Sequence, residues 1–256
     1  MINLTRAALL ATLGFMVAAG PSAAQTRALV VGSSATYPPF AYETPAKEIA
    51  GFDVDIIKAI AQKTGLTLKI VNTPFTGVFA SLNNGDLDLI ISGVTINDRR
   101  RQSYDFTAPY FEARQLIAVH RNSTVKGLQD LTGKKIGVVT GSTGDDVASR
   151  AFGKTSANIR RFDTTPLVIA ELAGYGVDAA IGDNGVIAYR VAEQKDLKTV
   201  DDLTFPKEYF GIVVKQGNAA LRKTLNTGLA AIQADGSYAT IYRKWFKTEP
   251  PVLPKQ

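Results

Sequence analysis

Three consecutive arginines are the residues of this sequence best suited to bind an anion. Arg99, Arg100 and Arg101 follow an apolar stretch at residues 87–91 and a run of small and hydroxyl-bearing residues at 92–95. A guanidinium group presents parallel donors that match the geometry of a carboxylate or a phosphate. The triplet is therefore consistent with a solvated charged surface, with a nucleic-acid patch or with a binding site for one small anion.

Two further segments could contact charged groups. Residues 140–144 (TGSTG) are glycine-rich and precede a predicted helix, so their backbone N–H groups could hold an anion. The segment lacks both the Lys-Ser/Thr ending of a P-loop and the G-x-G-x-x-G pattern, and a helix N-cap is the simpler interpretation. Asp183 also precedes a predicted helix, where it is either an N-cap or a carboxylate that meets a cation.

The sequence gives little support for a metal site or a catalytic nucleophile. The chain has no cysteine and a single histidine, His120, which disfavours a zinc site and leaves no credible Ser-His-Asp arrangement. We interpret His120, which stands beside Arg121, as a surface residue. No metal and no cofactor are expected.

The segments that must position these residues alternate between strands and helices. Apolar or alternating runs predict strands at residues 28–32, 66–71, 87–92, 115–119, 135–139, 158–162, 177–181 and 209–215. Apolar residues at helical spacing predict helices at residues 53–63, 78–83, 145–152, 166–173, 184–192, 218–234 and 237–246. This order indicates βαβ units and largely parallel sheets, in two α/β halves divided near residue 112.

In such sheets, ligands bind beyond the carboxyl ends of the strands. Polar segments at residues 34–40, 92–95, 140–145 and 182–184 all follow predicted strands. They are therefore the expected surroundings of a binding site. The nearby aromatic residues Tyr37, Phe40 and Phe75 are either exposed or part of the core.

The N-terminal residues have the pattern of a cleavable secretory signal peptide. A basic start is followed by apolar residues 7–19, and small residues precede a predicted cleavage site after residue 24. We therefore expect a periplasmic protein without disulfide bonds or a lipid-bearing cysteine. The full sequence has a net charge of +6, and its Lys and Arg residues are scattered along the chain. Because the protein is also expected to be exported, no nucleic-acid partner is expected.

Longer motifs cover nearly the whole mature chain. They are GFDVDIIKAIAQKTGL at residues 51–66, FTGVFASLNNGDLDLIISGVTINDRRRQSYDFTAPYF at 75–111, GKKIGVVTGSTG at 133–144, VDAAIGD at 177–183 and GSYATIYRKWF at 236–246. Together they resemble the family-3 extracellular solute-binding proteins, which are the polar amino-acid-binding components of ABC importers. The likeness is greatest to glutamine-, arginine- and histidine-binding proteins.

This resemblance implies an α/β, two-lobed type II periplasmic binding protein, in which each lobe is a mostly parallel sheet flanked by helices. Residues 25–110 and 211–256 would form lobe 1, and residues 111–210 would form two hinge strands and lobe 2. The resemblance further implies a non-catalytic monomer that binds a free amino acid. The expected partner is an inner-membrane ABC permease with its cytoplasmic ATPase.

The family pattern also implies the ligand-binding residues. Arg100 matches the arginine that binds the ligand α-carboxylate, and Asp183 matches the lobe 2 acid that binds the α-ammonium. Arg99 and Arg101 have no such role and are expected to be solvated. The remaining matches are backbone N–H donors to the carboxylate (Thr95, Thr143), acceptors for the ammonium (Gly93, Ser92) and aromatic residues that bracket the ligand side chain (Tyr37, Phe75).

Three positions, Ser34, Val139 and Gly182, depart from the named relatives and bear on the choice of ligand. Ser34 stands where these relatives often carry an acid that meets the distal end of the ligand side chain, and Val139 stands where the glutamine binder has Lys. Burying an unpaired cation is costly, so a neutral polar amino acid such as glutamine is favoured. Glu43 is a substitute acid if it reaches the pocket, and a basic ligand (arginine, lysine or histidine) is then favoured.

The alternative is an enzyme on the same scaffold. Cyclohexadienyl dehydratases resemble this family, act on prephenate-like acids and need a general acid at the ligand. In this sequence Asp183 is the one carboxylate assigned to the cleft, and it is already matched to the ammonium. A binding protein is therefore favoured over an enzyme.

Overall fold

The computed structural model describes residues 27–254, and the predicted signal peptide at residues 1–24 lies outside the described residues. In chain order the strands are β1 (Leu29–Ser33), β2 (Thr36–Tyr37), β3 (Ala41–Glu43), β4 (Ile49–Ala50), β5 (Leu68–Asn72), β6 (Leu89–Ile90), β7 (Tyr104–Phe106), β8 (Phe111–Ala113), β9 (Gln115–His120), β10 (Ile136–Val139), β11 (Ile159–Phe162), β12 (Ala179–Asp183), β13 (Leu197–Val200), β14 (Glu208–Phe210) and β15 (Val213–Lys215). The helices are α1 (Phe52–Thr64), α2 (Phe75–Asn84), α3 (Asp98–Arg101), α4 (Thr143–Phe152), α5 (Thr165–Ala173), α6 (Asn184–Ala192), α7 (Ala219–Ala234) and α8 (Ser237–Phe246), with a 3-10 turn at Leu128–Leu131.

Two five-stranded sheets organise these elements into two lobes. The sheet of lobe 1 has the spatial order β5-β1-β6-β15-β7. β15 runs antiparallel to both of its neighbours, so the other four strands point the same way. The sheet of lobe 2 has the order β11-β10-β12-β9-β13, in which only β9 is reversed. Each sheet is therefore mostly parallel, as the alternation of elements predicts.

Two chain crossings connect the lobes. β8 and β14 pair antiparallel, with Phe111 opposite Phe210 and Ala113 opposite Glu208. Directly after β14, the chain returns to lobe 1 as β15 and continues as α7 and α8, which pack against α1. β2, β3 and β4, which follow β1 in the chain, form a short antiparallel three-stranded sheet.

The cores of the two lobes follow from the spacing of apolar residues. α1 buries Phe52, Ile56 and Ile60 on one face, at helical spacing, in the core of lobe 1. In β9 of lobe 2, alternate residues enter two different clusters on the two faces of the sheet. Helices cover both faces of that sheet, so every residue of β9 is buried. Among the described residues, no helix is both long and apolar enough to cross a membrane.

The structure corrects two predictions. The chain does not divide into two halves near residue 112, because the segment after β14 returns to lobe 1. The predicted strand at residues 209–215 is also wrong. The predicted single strand is two strands, β14 between the lobes and β15 in the first sheet, separated by Gly211 and Ile212. Gly211 donates its N–H to the carbonyl of Val94, and a Cβ on Gly211 would lie 2.8 Å from Cδ1 of Ile96. The chain thus changes partners at a tightly packed glycine, a packing contact that is not visible in the local pattern.

Candidate ligand-binding site

Ten residues predicted to contact a ligand all line one cleft between the two lobes. They are Ser34, Tyr37, Phe75, Ser92, Gly93, Thr95, Arg100, Val139, Thr143 and Asp183. Most of them follow the carboxyl ends of β1, β6, β10 and β12, which meet at the same edge of their sheets. The topology therefore brings together polar segments that lie far apart in the sequence.

Arg100 is a buried cation in this cleft. It belongs to the short helix α3, whose N-cap Asn97 accepts a hydrogen bond from the Arg100 N–H at 2.9 Å. Its Nη1 donates to the Thr95 carbonyl at 2.8 Å, and its Nη2 donates across the cleft to the Gly141 carbonyl at 3.3 Å. These bonds use two of five N–H donors, and Arg100 makes no ion pair within the described residues. Burial lowers the pKa of Arg100, so a bound anion would compensate a real desolvation cost.

Aromatic rings support the Arg100 side chain. The guanidinium carbon lies 5.8 Å from the ring centroid of Phe75 and 5.5 Å from that of Phe79. The two rings contact each other edge to face at 6.0 Å. Such cation–π contacts orient the guanidinium without using its donors.

Asp183 is a buried carboxylate on the opposite lobe. It ends β12 and precedes α6, but its side chain makes no capping hydrogen bond, so the N-cap interpretation of this side chain is wrong. Instead it accepts hydrogen bonds from the Tyr37 hydroxyl of lobe 1 and from Nε2 of Gln115, the latter at 2.8 Å. Burial and the nearby charge of Glu208 raise the pKa of Asp183 to about 6.

The glycine-rich segment at 140–144 forms the N-terminus of α4. Ser142 is the N-cap and accepts from the Asp145 N–H at 3.2 Å, as the simpler interpretation predicts. Thr143 and Gly144 still line the cleft, and the Thr143 hydroxyl accepts from Gln115 Nε2 at 3.0 Å. The segment therefore both caps a helix and contributes to the cleft wall.

A buried acid holds the turn at Ser92 and Gly93. Asp53 Oδ2 accepts the Gly93 N–H at 2.8 Å, and the Ser92 hydroxyl accepts the Ser34 N–H at 3.0 Å. Gly93 has φ +56°, and a Cβ there would lie 2.7 Å from a ring carbon of Tyr37. Only glycine fits this close approach without strain.

The lobes are closed on each other around the cleft. The Tyr37 hydroxyl bonds to Asp183, and Arg99 Nη2 forms an ion pair with Asp146 Oδ2 at 2.9 Å. Arg99 is 57% exposed, as expected of a solvated side chain, and the ion pair with Asp146 adds a contact across the lobes that the sequence does not reveal. Arg101 is exposed, and its guanidinium carbon lies 6.0 Å from the ring centroid of Phe106.

The comparisons with known proteins agree with this architecture. A model of the bacterial extracellular solute-binding proteins, family 3, matches residues 29–248. The chain belongs to this family. This family-3 protein is 39% identical to a "probable histidine-binding protein" of Neisseria gonorrhoeae over 237 residues, which cover 91% of this chain and 88% of the relative.

Solved structures of relatives confirm the fold class. The arginine-, lysine-, histidine-binding protein ArtJ of Geobacillus stearothermophilus is 40% identical with a TM-score of 0.85, covering 88% of this chain and 97% of that chain. An ancestral arginine-binding protein bound to glutamine is 37% identical with a TM-score of 0.81, covering 86% and 98%. The family-3 protein thus has the two-lobed α/β fold of type II periplasmic binding proteins.

In the family-3 protein, polar residues that the sequence pattern does not reveal contact the residues lining the cleft. Gln115 is fully buried and donates from Nε2 to Asp183, Thr143 and Glu208. Glu208 also accepts from the Thr95 hydroxyl at 3.0 Å. The sequence indicates a special position for Gln115 only through its amide at the start of an otherwise apolar strand. No sequence pattern singles out Glu208. Asp163 also lines the cleft, so the inference that Asp183 is the one cleft carboxylate is wrong.

The lobe 2 wall of the cleft contains a further missed segment, Asp163, Thr164 and Thr165, between β11 and α5. Glu43, the proposed substitute acid, does not line the cleft but pairs with Lys47 at 2.8 Å on the surface. His120 is also misassigned as a surface residue. It is 8% exposed and stacks on the Tyr175 ring with 3.9 Å between centroids. Local patterns do not reveal such packing, because the stacking partner is 55 residues away.

Proposed function

We propose that this protein is the substrate-binding component of an ABC amino-acid importer. It binds a free polar L-amino acid between its lobes and delivers it to a membrane permease coupled to a cytoplasmic ATPase. One observation carries the proposal: Arg100, a buried guanidinium with no carboxylate partner among residues 27–254, and Asp183, a buried carboxylate, line the same cleft from opposite lobes. The names of the relatives, which are histidine- and arginine-binding proteins, support it.

The two charges match the two poles of an amino acid. Arg100 binds the α-carboxylate together with the backbone N–H groups of Thr95 and Thr143. Asp183 binds the α-ammonium together with the carbonyl of Gly93. A zwitterion loses strong hydration when it enters a closed cleft, and each charge must be matched there. Both charges are matched only when the lobes are closed, so the ligand stabilises the closed state.

The remaining cleft residues contact the ligand side chain. Tyr37 and Phe75 bracket it, while Ser34, Ser92 and Val139 line the surrounding wall. The protein acts as a monomer in the periplasm after removal of its signal peptide, and the closed form is what the permease recognises. It needs no cofactor and has no nucleic-acid partner.

Substitution of Arg100 tests this function. The mature protein is first screened by thermal shift against the common amino acids, since a ligand that binds only the native state raises the melting temperature. We expect Arg100→Ala to weaken binding of the best ligand by about 100-fold or more, because an unpaired buried carboxylate costs about 3–5 kcal/mol. The neighbouring Arg101→Ala is the control and should change the affinity less than about threefold. Near-normal affinity of Arg100→Ala in calorimetry would reject the proposal.

A second candidate function is supported by the proximity of Asp183 and Glu208. Burial and the charge of Glu208 raise the pKa of Asp183 to about 6, and a carboxyl group with a raised pKa is suited to general acid catalysis. A dehydratase that acts on prephenate-like acids would use such a group. Incubation of the protein with prephenate separates the candidates. Product formation that is abolished by Asp183→Asn would replace the binding function with an enzymatic one.

A further inference from the structure

Asp163 is an unpaired carboxylate on the lobe 2 wall of the cleft. It follows β11 and precedes Thr164, the N-cap residue of α5, and it lines the same cleft as Ser34 and Thr36 of lobe 1. Its side chain is exposed and makes no ion pair or hydrogen bond within residues 27–254. α5 contacts β2 of lobe 1, so this wall faces the position at which the sequence lacks an acid.

The cleft is lined by more negative than positive side chains. Its charged lining residues are one guanidinium, Arg100, and two carboxylates, Asp163 and Asp183. Glu208 adds a third carboxylate within hydrogen-bond reach of Thr95 and Gln115. A zwitterion with a neutral side chain matches Arg100 and Asp183 and leaves Asp163 without a counter-charge. A ligand with a third, positive charge matches it as well.

The wall between the charged groups suits an alkyl chain. Apolar side chains line the lobe 2 side of the cleft: Val139, Val168, Ile181, Val186 and Ile187. The hydroxyls of Ser34 and Thr36 lie 3.2 Å apart on the lobe 1 side. Arginine and lysine bury their methylene groups on such apolar surfaces and keep the charged end at a polar, hydrated position. The exposed carboxylate of Asp163 is such a position.

We infer that the ligand is a basic amino acid with a long side chain, arginine or lysine, and that Asp163 binds its distal positive charge. This inference rests on the proposed function. It corrects the preference for glutamine, which rested chiefly on the missing acid at Ser34: the lost acid of lobe 1 is replaced by one from lobe 2. Asp163 thus determines specificity, whereas Arg100 and Asp183 bind the groups that all amino acids share.

L-Citrulline provides a sharp probe, because it has the shape of arginine without the charge. Calorimetry on the mature protein is carried out with L-arginine, L-lysine, L-citrulline and L-glutamine. We expect arginine to bind at least about tenfold more tightly than citrulline, as a charge-assisted hydrogen bond replaces a neutral one. Asp163→Asn should reduce that ratio to about threefold or less and leave the citrulline affinity nearly unchanged.

Asp196→Asn is the matched control, because it removes the same charge from an exposed position of lobe 2 that does not line the cleft. It should leave the arginine-to-citrulline ratio unchanged. Equal affinity for arginine and citrulline, or an equal loss of both in Asp163→Asn, would overturn the inference while amino-acid binding through Arg100 still stands. If none of these four amino acids binds but another one does in the thermal-shift screen, the inference fails and the proposed function stands. If no amino acid binds, both fail. Thermal melts of each variant verify that it is folded.

Discussion

Ligand binding should weaken as the pH falls below about 6, because Asp183 must be ionised to bind the α-ammonium. Burial and the charge of Glu208 raise the pKa of Asp183 to about 6, opposed by hydrogen bonds from Tyr37 and Gln115 and by the charge of Arg100. A bound ammonium favours the ionised carboxylate and lowers this pKa in the complex. Below pH 6, binding must therefore release the proton of Asp183, and this release costs affinity.

The magnitude follows from the raised pKa. A carboxyl group with a pKa of about 6 is about 90% protonated at pH 5 and about 1% protonated at pH 8. The apparent dissociation constant at pH 5 should thus be about tenfold larger than at pH 8, a difference of about 1.4 kcal/mol. Binding should release about 0.9 proton at pH 5 and almost none at pH 8.

Calorimetry in buffers of different ionisation enthalpy measures both quantities at once. L-Arginine is the probe, with L-glutamine as the second, since neither side chain titrates between pH 5 and pH 8. Asp183→Asn is the control: it should bind more weakly at every pH but with no proton release. Wild-type affinity that is constant from pH 5 to pH 8, without proton release at pH 5, would refute the assignment of Asp183 to the ammonium.

Two further substitutions test the support of the site and its closure. Burial raises the pKa of Asp53 to about 7, although the hydrogen bond from Gly93 acts in the opposite direction. Because this pKa is higher in the folded than in the unfolded protein, Asp53 lowers the free energy of unfolding as the pH rises from the unfolded-state pKa to about 7. Between pH 5 and pH 8, the free energy of unfolding of the wild-type protein should fall by about 3 kcal/mol because of Asp53, and Asp53→Asn should not show this fall. Urea unfolding measures it, and the same pH dependence in both proteins would contradict the prediction. Arg99→Ala should weaken ligand binding by about fivefold or less, since the ion pair with Asp146 is exposed. The effect of this substitution should be smaller at high salt. A loss in calorimetry as large as that of Arg100→Ala would instead identify Arg99 as a primary ligand contact.

Local spacing was sufficient for much of the secondary structure. α6 and α8 begin and end at the predicted residues, and α1 differs by one residue at each end. The end of α1 is set by Gly65, which adopts a left-handed conformation with φ 70° and donates its N–H to the Ala61 carbonyl. These features depend on residues within one or two turns of each other, which a sequence pattern contains.

The placement of the predicted site residues in one cleft was also within reach of the sequence. Ser34, Ser92, Val139 and Asp183 stand at or directly after strands of parallel sheets, and the carboxyl ends of such strands meet at one edge. The roles of these residues came from the family resemblance instead. They remain a proposal, since periodicity and spacing do not distinguish a ligand contact from a helix cap.

By itself, the sequence determined the alternation of strands and helices, the family and the set of residues at the strand ends. Only the tertiary structure decided that β15 inserts into the first sheet and that Gln115 and Glu208 join Asp183 and Thr95. Gln115 and Asp183 are 68 positions apart in the chain, and Thr95 and Glu208 are 113 apart. The physical reason is that burial and charge matching depend on neighbours in space, and the pairing of the two lobes, rather than any local pattern, selects those neighbours. The same holds for Asp163, which has the pattern of a loop residue and lines the cleft only because the tertiary structure places it beside residues of lobe 1.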